Sequence, residues 1–186
     1  MSLASFILAV AFILLTPGPT NTILAASGAV MGWRGAMVLP LAEAAGYLLA
    51  VTAYLVLADA VGNSPTAMQA MKAVAAVWLL FSAWKLWHQK MQSHACGRKV
   101  ALRRVFLTTL LNPKAMLVGA ILIPGMDAEL RTQATGAFIA LSLAAGVVWT
   151  LFGSSLPGRM KPYAYRIAAI VVGLFSLAAA SGAIAG

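Results

Sequence analysis

The stretch Leu14-Leu15-Thr16-Pro17-Gly18-Pro19-Thr20-Asn21 lies inside an apolar run over residues 3–26, which is long enough to cross a bilayer. Pro17 and Pro19 have no N–H group to give to the carbonyls of Ile13 and Leu15, and Gly18 between them loosens the backbone. Backbone with free carbonyls survives at membrane depth only where protein buries it or a wet cavity meets it. The stretch therefore predicts a helix that is broken inside the membrane.

A second stretch, Leu110-Leu111-Asn112-Pro113-Lys114, repeats the pattern of two leucines, a small polar residue and a proline. It lies inside another apolar run of membrane length, over residues 105–124. We therefore predict a second broken helix.

The composition assigns the chain to the membrane. Of its 186 residues, 62% are hydrophobic and 9% are charged, whereas about a quarter of the residues of a soluble domain are charged. The net charge of +9 comes from basic residues in short loops between apolar runs, a distribution that reports membrane topology and not nucleic-acid binding. We expect an integral membrane protein with one domain over residues 1–186, in contact with the lipid bilayer and with no nucleic acid.

The order of the apolar runs predicts the fold class, an all-α membrane protein with six transmembrane helices. They are arranged as two inverted three-helix repeats, about 1–88 and 105–186, joined by a cytoplasmic loop at about 89–104, with helices 1 and 4 broken at prolines. Broken segments in matching positions of two inverted halves are typical of a transporter's binding site. The six runs are 3–26, 36–58, 65–88, 105–124, 133–154 and 163–185.

The basic residues also predict the orientation. The side opposite to most of them holds only Lys72 and Arg131, and by the positive-inside rule the basic side faces the cytoplasm, so both termini face outward. The loops after the first, third and fifth runs hold Arg34, Lys85, Lys90, Arg98, Lys99, Arg103, Arg104, Arg159, Lys161 and Arg166.

Two opposite charges are predicted at membrane depth. Counted from the cytoplasmic ends of their helices, Glu43 lies about 12 Å deep and Lys114 about 15 Å deep, at the level of the first break. A lone charge at that depth costs at least a few kcal/mol, so each needs a partner or water. We predict that the two form a pair with a role in transport, in preference to a tie between helices. Tyr47 and Tyr54 are interpreted as packing residues.

Together the motifs resemble those of the lysine-exporter (LysE/RhtB) family. They are Thr16-Pro17-Gly18-Pro19 in the first span, Gly32-x-Arg34-Gly35 before the second and Asn112-Pro113-Lys114 in the fourth. The resemblance covers nearly the whole chain. It differs at Thr20, where the family often has asparagine, at Ala42, where a glycine is common, and at Glu43, which is outside the family pattern.

The resemblance implies a multi-pass protein of the bacterial plasma (inner) membrane. It exports amino acids or related small metabolites, driven by the proton or cation gradient, and needs no cofactor. The substrate-binding residues carried over are Thr16, Pro17, Gly18, Pro19, Thr20, Asn21, Asn112, Pro113 and Lys114. From the charges, we expect Lys114 to meet an anionic group, and Glu43 to bind an amino group, a proton, or both in turn. A homo-oligomer is left open.

Two other functions are alternatives to amino-acid export. A relative that exports a metal cation is one alternative, although the runs hold no Cys or His at membrane depth for a soft metal. A non-transport scaffold subunit is the other, but it would have no need of the Pro-Gly-Pro break. The sequence offers no His pair, Ser/His set or carboxylate cluster at membrane depth, so we do not expect an enzyme.

The orientation can be tested at Cys96, the one cysteine of the chain. If the loop at 89–104 is cytoplasmic, a membrane-impermeant thiol reagent should label Cys96 only after the cells are opened. Labelling in intact cells would reverse the orientation.

Overall fold

The computed structural model describes residues 2–61, 64–88 and 98–157, together with 159, 163, 166, 169–170, 173–174, 177 and 180–181. The described residues form helices and irregular segments, with no strand among them. The helices are α1 (Leu3–Leu15), α2 (Pro19–Ala36), α3 (Leu39–Val61), α4 (Pro65–Trp87), α5 (Arg98–Leu110), α6 (Pro113–Leu117) with a π-helical continuation at Val118–Leu122, and α7 (Ala128–Ser154).

Three helical segments are long and apolar enough to cross a membrane, namely Leu39–Ala60, Arg98–Leu122 and Ala128–Ser154. The pair α1 and α2 adds a fourth if it is counted as one broken span, with a bend of 55° between the two parts. The fold is therefore all-α, with three or four candidate membrane spans among the described residues. The run predicted at 65–88 is helical as α4, but α4 is not one of these candidate spans, and most of the run predicted at 163–185 lies outside the described residues.

The first predicted break is present between α1 and α2. Thr16 ends α1 in an extended conformation, and Gly18, also extended, precedes Pro19 at the first position of α2. Proline fits this position because the first N–H groups of a helix have no partner within it. The prediction placed the end of this segment at residue 26, but α2 continues to Ala36 across a non-helical Gly32. Gly32 has φ 69°, a left-handed conformation that glycine adopts at little cost.

The second predicted break separates α5 from α6. Asn112 is extended, with φ −81° and ψ 127°, and Pro113 again takes the first helical position. Helix α5 begins at Arg98, so the helix includes the last part of the loop predicted at 89–104, and residues 89–97 lie outside the described part. In this extension Arg103 is exposed and Ala101 is buried.

Helix α7 packs against α1, α2 and α3 and lies at the centre of the described helices. Its contact with α2 is close because glycines lie on both sides. A Cβ atom added at Gly153 would overlap the carbonyl of Ala25, and one added at Gly28 would overlap the carbonyl of Thr150. Small residues of this kind let membrane helices approach backbone to backbone.

The larger core cluster joins α1, α3, α6, α7 and the π-helical segment through fully or almost fully buried side chains. Its members include Phe6, Val10, Leu14, Tyr47, Val51, Ala115, Val118, Ile123 and Phe138. The outer faces carry large apolar side chains such as Leu8, Phe12, Val56 and Val148, each more than half exposed, as expected for a surface that meets lipid.

Arg131, near the start of α7, connects several segments at one end of this core. Its guanidinium forms an ion pair with Asp59 at 3.1 Å and donates to the carbonyls of Pro124 at 2.5 Å and Met126 at 2.8 Å. The side chain therefore ties the end of α3 to the loop that leads into α7.

We predict that Gly153→Ala destabilises the protein, because its methyl group would push α7 away from the Ala25 carbonyl of α2. Overpacking of a tight contact costs on the order of 1–3 kcal/mol. Thermal unfolding of the detergent-purified protein, followed by size-exclusion chromatography, measures the change.

Gly136→Ala is the matched control on the same helix, since an added Cβ there meets no atom within 4 Å. We expect it to be neutral or to stabilise by up to about 1 kcal/mol, because alanine favours helix. Equal losses for the two variants would contradict the close α2–α7 contact.

Candidate functional site

The two breaks meet at the hydroxyl of Thr20, in the first turn of α2. This oxygen accepts hydrogen bonds from Asn112 Nδ2 at 3.0 Å and from Thr109 Oγ1 at 3.2 Å. All three side chains are at most 1% exposed. Residues some 90 positions apart in the chain are thus joined in one buried polar layer.

Asn112 connects the second break to three segments. Its Oδ1 accepts from the backbone N–H of Lys114 at 3.0 Å, which caps α6. Its Nδ2 donates to Thr20 and also to the hydroxyl of Tyr47 on α3, at 3.1 Å. A single amide therefore fixes the start of α6 against α2 and α3.

Lys114 and Asn21 hold the free carbonyls at the first break. Lys114 Nζ donates to the Thr16 carbonyl at 2.5 Å and to the Leu14 carbonyl at 3.4 Å. Asn21 Nδ2 donates to the same two carbonyls, at 2.9 and 2.6 Å respectively. In an unbroken helix these oxygens would accept from the N–H groups of Gly18 and Thr20, four residues later. The bound carbonyls are therefore not those of Ile13 and Leu15, whose helical donors the prolines remove. Side chains have taken the place of two helical hydrogen bonds.

Gly18 gives Lys114 the space to reach these carbonyls. A Cβ atom at Gly18 would lie 3.1 Å from Lys114 Cε and 3.3 Å from Nζ, which is tighter than ordinary carbon contacts. The Lys114 side chain is buried, with the residue 8% exposed. A side chain at Gly18 would therefore require the end of the Lys114 side chain to move by a few tenths of an ångström.

Glu43 lies on α3 and is 1% exposed. Its Oε2 has no hydrogen-bond partner among the described residues. The carboxyl group faces the backbone of α7, because a Cβ atom at Gly146 would overlap Oε2 and would lie 3.0 Å from Cβ of Pro40.

The direct ion pair predicted between Glu43 and Lys114 is not present, because no N–O distance within 4 Å joins them, although the two charges lie close enough to interact electrostatically. Within the part of the chain that the structure describes, the one ion pair with an N–O distance within 4 Å is that of Arg131 and Asp59. The ammonium of Lys114 is turned toward the carbonyls of α1, whereas Glu43 is turned toward α7. Counting residues gave the depth of each charge but not its direction around the helix.

The remaining predicted site residues act through the backbone. The Thr16 hydroxyl is bound to the Phe12 carbonyl of its own helix at 2.8 Å, so Thr16 contributes its carbonyl to the site. Pro17 is exposed, and Pro19 and Pro113 begin α2 and α6. These prolines shape the two breaks and place the polar side chains around them.

Two residues of the layer were not among the predicted site residues. Tyr47, interpreted as packing, is fully buried and packs edge-on against Phe138 with ring centroids 5.0 Å apart, but its hydroxyl also accepts from Asn112. Its position four residues after Glu43 places it on the same face of α3, and this was the available signal. Thr109, three residues before Asn112, carried no distinctive signal.

The layer offers both positive and negative groups to a ligand. The first turn of α2 has N–H groups without helical acceptors and a partial positive charge, and the end of α1 has a partial negative charge. The ammonium of Lys114 has three N–H donors, and the described residues accept from it at two carbonyls, which leaves one donor for another partner. No group of three or more His, Cys, Asp or Glu side chains that could hold a metal ion occurs among the described residues.

Comparison of the chain with protein-family models, with curated proteins and with solved structures found no match.

We predict that Tyr47→Phe lowers stability by about 1 kcal/mol, because Asn112 loses one buried hydrogen bond while the ring remains packed. For a protein of this size that corresponds to a fall in Tm of about 2–4 °C. Tyr54→Phe is the control two turns along α3, since no hydrogen bond of the Tyr54 hydroxyl occurs in the described structure. A fall of the same size for both variants would show that the Tyr47–Asn112 bond contributes nothing.

Proposed function

We propose that the protein is a secondary active exporter of amino acids or related small metabolites, of the lysine-exporter type. The observation that carries the proposal is the meeting of two proline-broken helices at one buried polar layer, with their ends held by side chains. Half-helix ends of this kind bind substrates and ions in secondary transporters. A protein that only ties helices together would have no need to break two of them at the same place.

The layer suits a small zwitterion. The N-terminus of α2 and the remaining N–H donor of Lys114 are suited to a carboxylate. Glu43 is suited to an amino group or a proton, since its Oε2 has no partner within the described chain. An isolated ionised carboxylate is costly to bury, and carboxyl groups at membrane depth commonly mark proton relays.

The full architecture is part of this proposal. Six spans form two inverted repeats, with the breaks in the first and fourth spans and both termini outside the bacterial inner membrane. The Arg131–Asp59 pair then lies at the outer end of the core, opposite to the basic loops. Substrate access from either side requires two states that bind substrate and proton differently.

Export of a metal cation is less well supported by the geometry. The ammonium of Lys114 lies on the carbonyls that would otherwise attract a cation, and its positive charge would repel a divalent ion in the same layer. An organic substrate that carries its own carboxylate has no such conflict.

The test is uptake of labelled amino acids into inverted vesicles that contain the wild-type protein, with and without a proton gradient. We expect uptake above that of empty vesicles for at least one class of amino acid, increased when the vesicle lumen is acidic. The absence of uptake across acidic, basic, polar and apolar amino acids would overturn the proposal.

Two variants examine the mechanism in the same vesicles. Pro17→Ala/Pro19→Ala should restore a continuous helix and give a protein that inserts but transports poorly. Glu43→Gln should retain exchange of substrate for substrate but lose the response to the proton gradient. Wild-type transport by the proline variant would show that the break is only a kink, and a wild-type proton response in Glu43→Gln would remove Glu43 from coupling.

A further inference from the structure

The carbonyls of Leu14 and Thr16 have the character of a cation site. They lie at the C-terminal end of a half-helix, where the macrodipole contributes about −0.5 charge. In secondary transporters, unwound carbonyls at such ends coordinate a sodium ion. Here a positive group is already present, because Lys114 Nζ is 2.5 Å from the Thr16 oxygen and 3.4 Å from the Leu14 oxygen.

We propose that Leu14 and Thr16 form a monovalent-cation site which the ammonium of Lys114 fills as a tethered ion. The amine enters from α6, on the second half of the chain, and reaches a site made by the first half. Gly18 leaves room for it, and Asn21 supports the same two oxygens from α2.

The surroundings explain why this site selects an attached cation over a free one. Lys114 is 8% exposed, so the site is nearly closed to water. The ionisable groups that face this layer are Glu43 and Tyr47, both on α3, and the described parts of α1 and of the first turns of α2 contribute none. A tethered ammonium has a high effective concentration beside its site, and a free ion would have to displace it.

The consequence for coupling rests on the proposed function. A tethered cation cannot be carried across the membrane, so sodium has no place in the wild-type cycle at this site. The ion gradient that drives export is then that of the proton, which Glu43 or the amine itself can exchange with water. The driving force of the proposed exporter is thereby narrowed from a proton or cation gradient to a proton gradient.

The experiment is thermal unfolding of the purified full-length protein in detergent, with sodium, potassium or choline chloride at constant ionic strength. Wild type should have the same Tm in all three salts. Lys114→Ala should have a lower Tm in choline, and saturating sodium or potassium should raise that Tm by about 5 °C or more, as expected for a ligand present at 100 times its Kd.

Control variants identify the site. Lys114→Arg keeps a cation and should not respond to sodium. In Lys114→Ala/Pro17→Ala/Pro19→Ala the restored helix uses both carbonyls internally, so the sodium response should disappear. If Lys114→Ala cannot be purified, Lys114→Ser is measured in the same way, because its small hydroxyl leaves the space open.

The proposal is overturned if a folded Lys114→Ala or Lys114→Ser protein has the same Tm in all three salts. The consequence for coupling is overturned if wild-type uptake requires sodium when the proton gradient is held constant. Unfolding is measured without substrate, so failure to find a transported amino acid would refute the proposed function while the cation site could still be confirmed.

Discussion

The structure depends on one constraint, which is that the carbonyls freed at Thr16-Pro17-Gly18-Pro19 must find donors in a place without water. An unpaired polar group in a low-dielectric interior costs several kcal/mol. Lys114 and Asn21 supply the donors. The Lys114 side chain packs closely over Gly18, since a Cβ atom there would lie 3.1 Å from Cε and 3.3 Å from Nζ.

The same contacts join the two halves of the chain. The donor to the first break comes from the first turn of the helix that begins at the second break, and Asn112, which caps that helix, also donates to Thr20. A hydrogen bond to a charged group contributes about 1.5–3 kcal/mol. The joint therefore consists of a few buried side-chain hydrogen bonds, which the proposed exporter would have to exchange between its two states.

The sequence predicted the breaks well because proline acts locally: it removes its own donor wherever the chain goes. It predicted one polar layer at the level of Glu43, Lys114 and the first break from the rise per residue of a helix. It could not predict which groups touch, because residue counts give depth and the partner depends on rotation and packing of whole helices. Glu43 and Lys114 have matching depths but different neighbours, and Tyr47 joined the layer through Asn112, a residue 65 positions away.

Because Glu43 and Lys114 are not in direct contact, the two charged groups have different roles in the proposed exporter. The ammonium of Lys114 is engaged by the α1 carbonyls, and no ion pair within 4 Å joins it to the carboxyl group of Glu43. Glu43 remains beside the backbone of α7 at Gly146, with its Oε2 unpartnered in the described structure. A proton or a substrate ammonium that reaches this oxygen removes the free-energy cost of burying Oε2 without a partner. In the proposed exporter, binding of a proton or substrate at Glu43 can therefore change the relative stability of two helix arrangements. Lys114 instead stabilises the break at the end of α1.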